Sequence, residues 1–179
     1  YLINGATQHN EKGLFVSFEQ REDAIKNQAK QFGWNIEELE KKGLIKIISI
    51  PAHKITQKTV DEIKEIVKKE GIKRLVVDSL STLIINAPIY SKSSDMSVED
   101  VMGENVTFSP AIIGNYLVQK FLYQFIDQLR DLTECTTLLV GEADQSGQNI
   151  SRDTLSEFAC DGIVLITFES LGGEFSRSL

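Results

Sequence analysis

The chain has 179 residues, of which 41% are hydrophobic, and 19 lysines and arginines stand against 26 aspartates and glutamates for a formal charge of −7. At roughly 150 residues per domain this length predicts one domain, with a core that buries about two-thirds of the unfolded surface. The acidic balance argues against a nucleic-acid role, and no apolar run approaches the ~20 residues of a membrane helix, so a cytoplasmic protein without membrane insertion is expected.

In chain order, Leu2, Ile3 and Ala6 stand at helical spacing within residues 1–10 with no cap ahead of them, which reads as a helix entered partway. Leu14-Phe15-Val16-Ser17-Phe18 is a β-rich run, and a helix is expected over residues 21–32, closed by Gly33. Asn35 and Glu38 have the spacing of a capping box for a short helix ending near Gly43. Residues 44–50 form a second apolar run stopped by Pro51. Thr59 and Glu62 suggest another capping box, opening a helix whose apolar face is Val60, Ile63 and Val67 and whose stop is Gly71. Lys73-Arg74-Leu75-Val76-Val77-Asp78-Ser79 is apolar on consecutive positions, as strands covered on both faces are. Strand and helix alternate, so an α/β fold with a mainly parallel central sheet flanked by helices is predicted.

Residues 86–110 then turn polar, with Gly103 and Pro110 among them. A connection of roughly 25 residues exceeds the usual ~12–15, which predicts a functional, mobile loop or a disordered one, with room for one helical turn at residues 98–102. A long helix is expected over 111–134 from Leu117, Phe121, Phe125, Leu129 and Leu132, followed by a buried strand at 136–140. One helical turn fits residues 154–159. Residues 162–168 read as a strand that Gly172-Gly173 folds back onto 174–179, giving a C-terminal antiparallel hairpin added to the sheet.

In an open α/β sheet, ligands gather beyond the carboxyl ends of the strands, which singles out Glu19, Asp78 and Glu142. A carboxylate in the place of Asp78 suits a water of a hydrated Mg²⁺ ion, and equally suits the hydrogen bonds of the next turn. Cys135 and Cys160 match no metal or redox spacing and read as reduced thiols, while His9 and His53 read as surface residues. Trp34 and the Phe121, Phe125 and Leu129 stripe read as packing residues.

Four segments together carry a resemblance. Leu14-Phe15-Val16-Ser17-Phe18-Glu19-Gln20, Ala29-Lys30-Gln31-Phe32-Gly33-Trp34, Arg74-Leu75-Val76-Val77-Asp78-Ser79-Leu80-Ser81, and Ser151-Arg152 with Glu157-Phe158-Ala159-Cys160-Asp161-Gly162 resemble, in order and spacing, the KaiC-like branch of the RecA-type P-loop ATPases. The resemblance spans nearly the whole chain and implies a RecA-like core over residues 1–179, ATP and Mg²⁺ as cofactors, and self-association in a homo-hexameric ring serving a protein client. It places Asp78 on the Walker B aspartate, which orients Mg²⁺ through water. Glu19 falls on the first of two adjacent glutamates that activate the attacking water; the second is Gln20 here, an amide that takes no proton. Ser79, Glu142 and Arg152 are the candidate nucleotide-binding or sensing residues, with a solvated loop role as the alternative for Arg152.

The family's phosphate loop, G-x-x-x-x-G-K-[ST], occurs nowhere in the 179 residues, which fits a piece of a longer protein truncated at both ends or a degenerate relative that binds no nucleotide. Three functions follow from the resemblance. One is a Mg²⁺-dependent ring-forming ATPase, with self-phosphorylation left open; another is a nucleotide-regulated assembly module with little hydrolysis, which Gln20 motivates. The third, a RadA-like DNA recombinase, is disfavoured by the acidic balance. The loop at 86–110 is expected to border the ring's channel and touch a neighbour or partner.

Overall fold

A run such as Leu75-Val76-Val77 stays apolar without interruption when alternate side chains leave the strand on opposite faces and both faces are covered. The structure, a computed structural model, describes residues 1–56, 58–86, 110–144, 149–171 and 174–178. Four strands, β1 (Gly13–Ser17), β2 (Ile45–Ser49), β3 (Arg74–Asp78) and β4 (Thr136–Val140), pair in parallel in the order β2-β1-β3-β4. Their register is flush: Ser17 lies opposite both Ser49 and Asp78, and Asp78 opposite Val140. Every carboxyl end therefore opens onto one edge of the sheet.

On one face Leu14, Val16, Leu75 and Val77 pack against α4 (Thr59–Glu70), α5 (Leu80–Ile85), α6 (Pro110–Arg130) and the single turn α7 (Ser156–Ala159). The partners there include Ile63, Leu83, Leu122 and Phe125. On the other face Ile45, Ile47 and Val76 meet α1 (Leu2–Gln8), α2 (Glu22–Gln31) and α3 (Ile36–Lys41) through Leu2, Ala6, Ala29, Ile36 and Leu39. The predicted parallel sheet with flanking helices is thus observed. Leu75 has no exposed surface. Leu75→Ala is expected to cost about 3 kcal/mol, read from urea unfolding, because the cavity cannot collapse between two packed layers.

Local signals behaved unevenly. Gly71, with φ +68°, closes α4 in the left-handed conformation that glycine adopts without a Cβ penalty. Asn35 caps α3 by accepting the Glu38 N–H at 3.2 Å. Thr59 does not cap α4: it is the first helical residue, and its hydroxyl accepts from the Thr56 N–H at 2.9 Å, closing the preceding turn instead. Trp34 stacks on Phe32 with ring centroids 5.2 Å apart, and both rings are largely exposed rather than packed in the core.

β4 differs from the expected buried strand. Among the described residues it stands at the edge of the sheet, and Thr136, Leu138 and Val140 are exposed while Leu139 packs inward. Consecutive apolar residues are buried on both faces only where helices cover both, and the edge position leaves one face of β4 open among the described residues. The hairpin is present, β5 (Thr167–Leu171) against β6 (Glu174–Ser178), but as its own two-stranded antiparallel sheet rather than an addition to the four-stranded one. Its first strand begins at Thr167, not at residue 162: Ile163, Val164, Leu165 and Ile166 lie outside any strand and are exposed. An apolar run becomes a strand only where a ladder partner meets its backbone groups.

Of the loop expected at 86–110, residues 87–109 lie outside the described residues, as does the expected turn at 98–102, while Pro110 already belongs to α6. The chain is described again from Pro110, the first residue of α6, where a missing N–H costs nothing. α6 ends at Arg130 rather than 134; turns closed by Leu132 N–H to Leu129 and Cys135 N–H to Leu132 deliver the chain to β4. Among the described residues no helix is long and apolar enough to cross a membrane.

Candidate functional site

Beyond β1 the chain turns sharply because Ser17, fully buried, uses its hydroxyl as an acceptor for the N–H groups of Glu19 at 3.3 Å and Gln20 at 2.9 Å. The turn is stitched to its neighbours. Phe18 N–H donates to the Asp78 carbonyl at 2.7 Å, and Ser49 Oγ donates to the Gln20 carbonyl at 2.8 Å. These bonds lift the Glu19 side chain over the end of β3.

There the Glu19 carboxylate meets the first turn of α5. Ser79, nearly fully buried, caps α5 by accepting the Thr82 N–H at 3.3 Å and donates its own hydroxyl to Glu19 Oε1. Thr82 Oγ1 donates to the same oxygen at 2.7 Å. The Ser79 bond first, then the Thr82 bond, hold the Glu19 carboxyl below the ordinary glutamate range. Asp78, half-buried at the end of β3, shifts the other way: burial pushes its carboxyl up, and the Glu19 charge adds to the push. The peptide between Asp78 and Ser79 is cis.

Asp78 and Glu19 stand at adjacent strand ends, near enough for the Glu19 charge to act on Asp78, and neither has a salt bridge among the described residues, so the Asp78 carboxylate offers a hard oxygen to the water of a divalent cation. No group of three or more potential metal-ligating side chains occurs among the described residues. Such a sparse set fits Mg²⁺, which keeps most of its waters and takes one or two protein carboxylates, better than a metal that needs a protein cage.

Glu142 and Arg152, ten residues apart, come together. The Arg152 guanidinium forms a salt bridge with Glu142 Oε2, and Arg152 N–H donates to the Glu142 carbonyl at 2.9 Å. Ala143 and Ser151 close the loop between them as an antiparallel bridge. A cavity of about 240 Å³ is lined by Glu142, Ala143, Asp144 and Arg152. Arg152 is therefore paired rather than simply solvated. Both side chains are more than half exposed. Arg152→Ala is accordingly expected to change thermal stability by less than about 1 kcal/mol, measured by calorimetry.

α5 links the two groups. Ser79 and Thr82 hold Glu19, and Ser81 Oγ accepts the Glu142 N–H at 3.2 Å. Thr82 and Ser81 were missed from sequence; the signal available was a run of hydroxyl residues directly after a strand-end aspartate, Asp78-Ser79-Leu80-Ser81-Thr82. Gln20 does not join the cluster through the bonds seen: its N–H goes to Ser17 and its carbonyl to Ser49. A larger cavity of about 340 Å³, between the start of α4 and the middle of α6, is lined by none of the candidate residues. Its size does not make it the site, because the convergent carboxylates lie elsewhere. Cys135 and Cys160 are free thiols whose pKa burial raises, so neither is an activated thiolate.

Residues 1–93 match the family model described as ATPase: KaiC. The chain is 25% identical over its whole length to UPF0273 protein MJ1359 of Methanocaldococcus jannaschii, covering 69% of that protein. It is 24% identical to the UPF0273 proteins of Aeropyrum pernix and Sulfurisphaera tokodaii, again over its whole length, covering 66% and 59% of them. The chain thus spans about three-fifths to two-thirds of the length of these relatives. The crystal structure of KaiC-like protein PH0186 from Pyrococcus horikoshii OT3 superposes with a TM-score of 0.72 over 99% of this chain and 67% of that one, at 23% identity. With the family match covering more than half of its residues and its parallel sheet built as the RecA-like core is, this chain belongs to the KaiC ATPase family.

Proposed function

We propose that residues 1–179 act as one RecA-like domain that binds ATP with Mg²⁺ and hydrolyses it, in a protein that assembles as a ring. The observation that carries this reading is the pairing of two strand-end carboxylates in which each has a different environment: Asp78 half-buried and pushed up, Glu19 exposed and held ionised by two hydroxyls. Such divergence is the mark of groups with separate tasks.

In this reading Asp78 would hold a water of a Mg²⁺ ion, which would supply positive charge against the transferring phosphoryl group. Glu19 accepts the proton of the attacking water, and Gln20, an amide, takes no part in that transfer. Ser79 serves the site through Glu19. Arg152 senses the bound nucleotide by exchanging its pair with Glu142 for contacts with phosphate, for which a guanidinium is well shaped, and Glu142 holds it when no phosphate is near. No G-x-x-x-x-G-K-[ST] motif occurs in these 179 residues, so this assignment covers the carboxylate side of the site.

A second reading has a specific observation behind it. The hydroxyl bonds that lower the Glu19 pKa also make it a weaker base, and with Gln20 beside it this favours a nucleotide-regulated assembly module of slow turnover. Equilibrium binding and hydrolysis of Mg²⁺-ATP by the full-length polypeptide separate the two. Binding with turnover supports the ATPase, tight binding with negligible turnover supports the switch, and absence of binding defeats both.

A further inference from the structure

An exposed glutamate ordinarily rotates freely about its terminal bonds, and its two oxygens are interchangeable. Glu19 is exposed, yet both hydroxyls that reach it donate to one oxygen, Oε1. The donors stand on a fixed base. Ser79 is nearly fully buried and caps α5, while Leu80 and Leu83 in the same helix are 2% and 0% exposed and lock it into the core. From the other side, the Ser17 hydroxyl fixes the Glu19 backbone. The carboxylate is therefore held at both ends of its side chain, and Oε2 is the oxygen that accepts neither hydroxyl.

We propose that Thr82, with Ser79, is a positioning residue that clamps Oε1 so that Oε2 is the oxygen presented to the attacking water. This rests on the proposed role of Glu19. The clamp exchanges some basicity for orientation: a carboxylate that accepts two hydroxyl bonds is a poorer proton acceptor, but the entropy of aiming it has been lost before substrate arrives. Thr82 is the informative member of the pair, because Ser79 also caps α5 and its removal would disturb the helix.

The experiment uses the full-length protein carrying Thr82→Val, which keeps shape and removes the donor, and Thr82→Ser, which restores the donor. Thr82→Val is expected to lower kcat for Mg²⁺-ATP hydrolysis by about tenfold, with KM within about twofold. The acid limb of the kcat profile should move to higher pH, since a donor to the charged form has been lost, and Thr82→Ser should return both quantities to wild type. Independently of turnover, an NMR titration of the Glu19 carboxyl carbon should move to higher pH in Thr82→Val and back in Thr82→Ser. An unmoved titration overturns the clamp, as does a fall in kcat that Thr82→Ser does not rescue. Glu19→Gln measured alongside keeps the two ideas apart. If that variant turns over at the wild-type rate, the role of Glu19 itself fails; if it is inactive while Thr82→Val is unaffected, only the clamp fails.

Discussion

Glu19→Gln in the full-length protein is expected to slow Mg²⁺-ATP hydrolysis by about 10²–10³-fold while leaving ATP affinity within about twofold. The substitution is close to isosteric, and the geometry around it predicts why its effect is confined to chemistry. Ser79 and Thr82 both donate to Oε1, and a glutamine carbonyl oxygen accepts those same two bonds. The side chain therefore stays where it is and loses only its ability to take a proton. No neighbour compensates: Gln20 is already an amide, and Asp78, raised by burial and by the Glu19 charge, becomes a weaker base once the variant removes that charge. Single-turnover phosphate release gives the rate, and a titration with fluorescent nucleotide gives the affinity. Wild-type phosphate release in this variant would remove Glu19 from the mechanism.

The second large effect is expected from Asp78→Asn, and here binding and stability should move in opposite directions. Affinity for ATP in the presence of Mg²⁺ should fall by about ten- to a hundredfold, because an amide has no charge with which to hold the ion's water. The protein without metal or nucleotide should become slightly more stable. Burial raises the Asp78 pKa above its unfolded value, so the folded state disfavours the ionised form. The stabilising contribution of that raised pKa is present below the ordinary aspartate range and lost as pH climbs through the folded value, so at neutral pH the ionised side chain is a net burden. Its removal should add about 0.5 kcal/mol, a figure discounted for the half-exposed position of the group. Calorimetry without ligand and nucleotide titration with Mg²⁺ measure the two arms. A variant that loses both stability and binding has been damaged in its fold, and the carboxylate assignment would then have no support from it.

The pH dependence of Glu19 runs the other way. Its pKa is lowered by the Ser79 and Thr82 bonds, so the stabilisation those bonds bring is full above the ordinary glutamate range and vanishes as acid protonates the folded state.

Much of the core could be read directly from residue order. Leu14 to Phe18, residues 44–50 and 73–79 became β1, β2 and β3, since a continuous apolar run between glycine or proline stops has few other solutions in a helix-flanked sheet. Gly71 announced the end of α4 because a left-handed residue is needed there and glycine adopts it freely. Asp78 and Glu19 were identifiable as strand-end carboxylates, and the flush register of β1 with β3 then made them neighbours.

Tertiary structure alone decided the remainder. Whether residues 136–140 form a central or an edge strand depends on what stands beside them, and the local pattern of Thr136 to Val140 is the same in either case. Residues 162–166 are as apolar as a strand but have no ladder partner among the described residues, and backbone hydrogen bonds, not hydropathy, make a strand. The Thr59 hydroxyl had two partners within reach and took the one behind it. Above all, the bonds from Ser79 and Thr82 to Glu19 join residues that meet only when β1 pairs with β3, and the bond from Arg152 to Glu142 joins residues that meet only when the Ala143–Ser151 bridge closes their loop. The sequence by itself determined which segments are apolar enough to be buried and which carboxylates follow them; pairing, edge position and the partners of each polar group came from contacts between distant segments, which no local periodicity encodes.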